Sequence, residues 1–84
     1  MAIYSLKHTH PGAPADTMVS VARAVGALNA VDVLRDQGFP LVVMPMMGPG
    51  RPGADTPVPV CWVNAETGRT EIGEVAFYRK SPKR

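Results

Sequence analysis

The chain has 84 residues, 45% of them apolar and 19% charged, with a net charge of +2 and a single cysteine. That length makes one small domain, which buries only about 60–65% of its unfolded surface, and the composition excludes intrinsic disorder. Cys61 alone excludes an internal disulfide and suits a reducing, cytoplasmic setting. No run approaches the ~20 apolar residues of a membrane-spanning helix, and MAIYSLKHTH lacks an apolar core long enough for a signal peptide.

Charge is unevenly placed. Arg79, Lys80, Lys83 and Arg84 crowd the last six positions, and without them five basic residues face seven acidic ones. A near-neutral body with a cationic tail (79–84) differs from the basic surface of a dedicated nucleic-acid binder.

In chain order, residues 2–7 alternate, with Ala2, Tyr4 and Leu6 on one side, and predict a first strand. His8 and His10 follow. A His-x-His pair on a strand puts both imidazoles on one face, as two ligands of a metal site require. A zinc site takes three or four protein ligands, however, and no further cluster completes the shell in sequence. Solvated histidines at a strand end, with no metal and no cofactor, are therefore the expectation. Pro11-Gly12-Ala13-Pro14 is a turn-rich connector.

Residues 16–38 carry the clearest helical period. Met18, Val21, Ala22, Val25 and Leu28 share one face at 100° per residue. Beyond Asn29 the stripe changes phase, so a break or sharp kink is expected at 26–29. Asp16 or Thr17 would cap a first helix and Asn29 a second, with Gly38 as the left-handed stop and Pro40 beyond it.

The apolar run 39–47, FPLVVMPMM, suits a central strand covered on both faces as far as Met44, weakened at Pro45. Residues 48–59, GPGRPGADTPVP, form a long loop with Arg51 at its centre, un-neutralised by its sequence neighbours. Residues 58–63 and 69–78 then predict a hairpin around Asn64-Ala65-Glu66-Thr67-Gly68. Pro57 and Pro59 confine the start of its first strand to an edge, Trp62 anchors the core, and Gly73 marks a bulge or a close approach.

The sum is a single α+β domain in the order β-α-α-β-β-β. A mostly antiparallel sheet of three to four strands carries a kinked helix, or two short helices, on one face.

Chemistry is poorly supplied. The hydroxyls and Cys61 have only His8 and His10 as potential bases. The acidic residues fall in predicted turns, caps or exposed helix faces, which does not suit paired carboxylate catalysis. GPGRPG does not run from a strand into a helix, so it is no phosphate cradle.

Met1-Ala2-Ile3-Tyr4-Ser5-Leu6 resembles the opening strand of conjugative relaxases, but the relaxase catalytic tyrosine segment and histidine cluster have no counterpart. As a small lone α+β domain without catalytic or cofactor motifs, the chain also resembles in type the anti-CRISPR proteins of phages and other mobile elements. That resemblance implies stoichiometric binding to a CRISPR effector and blockage of its target DNA. The expectation is a non-enzymatic inhibitor, a monomer or weak dimer in the host cytoplasm. It would bind a larger protein or ribonucleoprotein complex through Arg51, Arg69, Tyr78, Arg79 and Lys80. The alternative is a nucleic-acid-binding accessory protein of a mobile element, using the basic tail.

Overall fold

A computed structural model describes residues 1–14, 17–45 and 56–78. Strand β1, Ala2–His8, is hydrogen-bonded on both sides within its sheet. Four further strands, β2 (Met18–Ala24), β3 (Val42–Val43), β4 (Val58–Val63) and β5 (Thr70–Phe77), complete an antiparallel sheet in the order β2-β1-β5-β4-β3. One helix, α1 (Ala27–Asp36), crosses a single face and packs on β2 and β5. The result is a small α+β domain, richer in sheet and poorer in helix than the sequence suggests. Its order is β-β-α-β-β-β, not the expected β-α-α-β-β-β.

The first expected helix is a strand. Of the five residues on its supposed apolar face, only Ala22 is buried, while Val25 and Leu28 are 74% and 55% exposed. A period of two governs instead: Ala22 and Ala24 face the core, and Val21 and Arg23 face outward. Valines at 19 and 21 favour extended backbone, and the small alanines let the helix come close. The phase change near Asn29 marks a strand giving way to a helix, where a kinked helix was expected.

Helix α1 buries Ala27, Ala30, Val31 and Leu34, one complete i, i+3, i+4, i+7 stripe. Gly26 sits at its N-cap in extended conformation without a side-chain cap. Asn29, the expected cap, lies one turn inside, and its Oδ1 accepts the Val25 N–H at 3.1 Å. The C-terminus ends as expected. Gly38 adopts φ +104°, its N–H bonds Arg35 O at 3.0 Å, and Phe39 N–H bonds Leu34 O at 3.1 Å. This is a Schellman closure that satisfies the last carbonyls.

The run 39–47 is not a central strand. Only Val42–Val43 pairs, at the sheet edge beside β4, and both residues are exposed. Pro40 and Pro45 flank this short piece and cannot donate to a ladder, so Phe39 and Leu41 contribute to the core from outside a strand. Strand β4, whose start was expected at an edge, lies inside the sheet; Pro59 joins through its carbonyl, which accepts Met44 N–H at 2.8 Å. The β4–β5 hairpin forms as expected, with Gly68 at φ +73°. Most of loop 48–59, with Met46 and Met47 before it, lies outside the described residues, as do Asp16 and the tail 79–84.

Gly73 is a close approach, not a bulge. It pairs with His8 on β1 and Val60 on β4. A Cβ there would run into the Lys7 carbonyl oxygen and lie 3.0 Å from Cζ3 of Trp62. The obstacle is backbone and cannot move aside alone. Gly73→Ala is expected to cost about 1–3 kcal/mol, toward the upper end, by forced overpacking. Urea unfolding with an unchanged m-value checks this; an unaffected midpoint would mean that the strands are less tightly apposed.

Candidate functional site

Two surfaces stand out on the sheet, one on each face. On the helix side, the β1–β5–β4 register lines up His8, Gly73 and Val60, with Glu71 opposite Trp62 two residues along. His10 continues beyond β1 on the alternation that faces His8 inward. Because Gly73 has no side chain, the Trp62 ring reaches across to His8, their centroids 5.2 Å apart. The rings of His8 and His10 meet edge-on at 5.1 Å. His10 Nε2 lies 4.0 Å from Glu71 Oε1, and one donor atom from each of His8, His10 and Glu71 lies within 4.8 Å of the others.

The backbone fixes this group. Thr9 N–H donates to Ile72 O at 2.9 Å, joining the residue between the histidines to the neighbour of Glu71. His10 Nδ1 stands 3.1 Å from Pro11 O. His8 Nδ1 is buried with no hydrogen-bond partner among the described residues. His8, Trp62 and Glu71 line a groove of about 450 Å³, closed on one side by Gly38, Phe39 and Pro40 just past the helix C-terminus.

The opposite face is open. Cross-strand partners place Ile3, Val21, Met18, Ile72, Val63 and Val42 on it, each between 36% and 57% exposed. Cys61, paired with Ile72 and Val42, is half-buried there. An antiparallel sheet covered on one side normally turns polar residues to water on the other. Here the polar content is Lys7 opposite Glu74, Arg23 opposite Ile3, Thr70 opposite Val63, and a buried Ser5 whose hydroxyl donates to Ala76 O at 3.5 Å.

Of the residues expected to bind a partner, the two that are described, Arg69 and Tyr78, lie far apart. Arg69 is exposed at the hairpin end of β5 and Tyr78 follows its other end, so the eight-residue strand separates them by roughly 25–30 Å. Arg51, Arg79 and Lys80 lie outside the described residues. Sequence reasoning missed Glu71 as a companion of the histidines because it is distant in the chain. The available signal was Gly73: a glycine opposite His8 in a period-two strand puts Glu71 on the same face. The open face was missed for another reason, since Met18 and Val21 come to it from β2, expected as helix.

No protein-family model, curated protein or solved structure matches this chain. Among the described residues, no helix is long and apolar enough to cross a membrane.

A buried nitrogen without a partner costs about 1–3 kcal/mol. In chelator-treated protein, His8→Leu is therefore expected to raise stability by about 1 kcal/mol in urea unfolding. A loss of similar size would show that the nitrogen has a partner in the folded state.

Proposed function

We propose that this chain is a non-enzymatic binding protein that acts by covering a surface on a larger protein or ribonucleoprotein complex. The observation that carries the proposal is the open sheet face. Its apolar side chains span all five strands, roughly 19 Å across and some 20 Å along, from strand spacing and rise. That is on the order of 400 Å² in projection, about half of what one partner contributes to a standard interface. Only part of that area is apolar, since Arg23, Lys7, Glu74 and Thr70 share the face, but a cluster of exposed apolar side chains on a small domain commonly marks an interaction site.

The charges support a protein partner over nucleic acid. Lys7 stands beside Glu74 on the open face, and Arg35 pairs with Asp32 at 3.4 Å. The basic side chains of the described residues do not form the continuous stripe that tracks a phosphate backbone. A CRISPR effector is the partner to test first, because the chain shares the small α+β form of anti-CRISPR proteins.

The experiment is capture of the partner from the native host by the wild-type chain and by a Val21→Glu, Ile72→Glu double variant. Surface changes of this kind alter stability by only about 0.5 kcal/mol each, so the variant should stay folded. Wild type should capture one partner stoichiometrically and protect Cys61 from maleimide labelling; the variant should lose both effects. Equal capture by the variant would remove the open face from the interaction, and catalytic turnover by trace amounts would overturn the binding role. A gel shift that weakens steeply with salt would favour the nucleic-acid alternative.

A further inference from the structure

We propose that His8, His10 and Glu71 bind a divalent transition metal ion of the zinc class, one per chain. The site lies on the face opposite the open apolar surface and does not depend on the partner-binding proposal. Two imidazoles and a carboxylate are a ligand set that zinc accepts, whereas magnesium and calcium prefer oxygen alone.

The spacing is close to a coordination shell. Ligands at about 2.0–2.1 Å from a tetrahedral ion are roughly 3.3 Å from one another. The three donor atoms already lie within 4.8 Å, with His10 Nε2 and Glu71 Oε1 at 4.0 Å. Closing each gap takes about 1.5 Å or less, within the reach of side-chain rotation at His10 and Glu71, which are 34% and 21% exposed. Their backbones are held in place by the His8–Gly73 pairing and the Thr9–Ile72 hydrogen bond.

The surroundings favour a cation. His8 brings an imidazole whose Nδ1 is not committed to a protein hydrogen bond among the described residues. Trp62 stands against that ring, and an apolar wall beside a metal limits solvent access and lowers the local dielectric. Glu66 lines the same groove and adds a carboxylate to it. Three protein ligands leave a fourth position for water facing the groove.

The test uses the full chain without a polyhistidine tag, titrated with Zn²⁺ by calorimetry and with Co²⁺ by visible absorption. The expected result is one ion per chain and d–d bands of four- or five-coordinate cobalt. His10→Ala and Glu71→Gln, each confirmed as folded by circular dichroism, should weaken Zn²⁺ binding by at least about tenfold and abolish the bands. Mg²⁺ should not compete. No binding at micromolar Zn²⁺, or binding undiminished in both variants, would overturn the site and leave only a contact between His10 and Glu71.

Discussion

At Gly73 two strands lie so close that any side chain would meet the Lys7 carbonyl. Three features of the molecule follow from that missing Cβ. It permits the β1–β5 pairing at the centre of the sheet, it leaves room for Trp62 to cross the gap, and it brings His8 against the indole. Because side chains alternate, the same register sends Leu6 and Val75 to the core beneath α1 and Ile72 to the open face. A slip of one residue would exchange the two faces along the strand.

The two sheet faces have different chemistry. Under α1, apolar side chains close a core from Tyr4 to Trp62, and at its end the titratable groups gather beside a groove. On the far side, β-branched and thioether side chains meet water over five strands. A chain this small cannot bury both faces of a sheet with one ten-residue helix. Among the described residues nothing packs on the second face, which mixes apolar side chains with Lys7, Arg23 and Glu74.

Some of this was legible in the sequence. The first strand, the β4–β5 hairpin, the stop at Gly38 and the close approach at Gly73 each rest on local chemistry: alternation, turn residues, a left-handed glycine. Residues 18–24 were misread because Met18, Val21, Ala22 and Val25 satisfy a helical period as well as a broken period of two, and short apolar stretches do not separate the two. Tertiary pairing with β1 decides the matter. The FPLVV run misled in a related way, since apolarity looked like central burial although flanking prolines limited pairing to two residues. The His8, His10 and Glu71 grouping needs the register of two strands far apart in the chain, which composition does not give. Residue type singles out Arg69 and Tyr78, but type says nothing about which end of a strand a residue occupies.

The account depends on the pairing of β1 with β5 and on the extended conformation of residues 18–24. Solution NMR measures both at once, through nuclear Overhauser effects between backbone protons. Cross-strand contacts should join His8 to Gly73, Tyr4 to Phe77 and Tyr4 to Ala22. Helical i to i+3 contacts through residues 18–24, or a β1–β5 register displaced by one residue, would contradict the fold and both surfaces built on it.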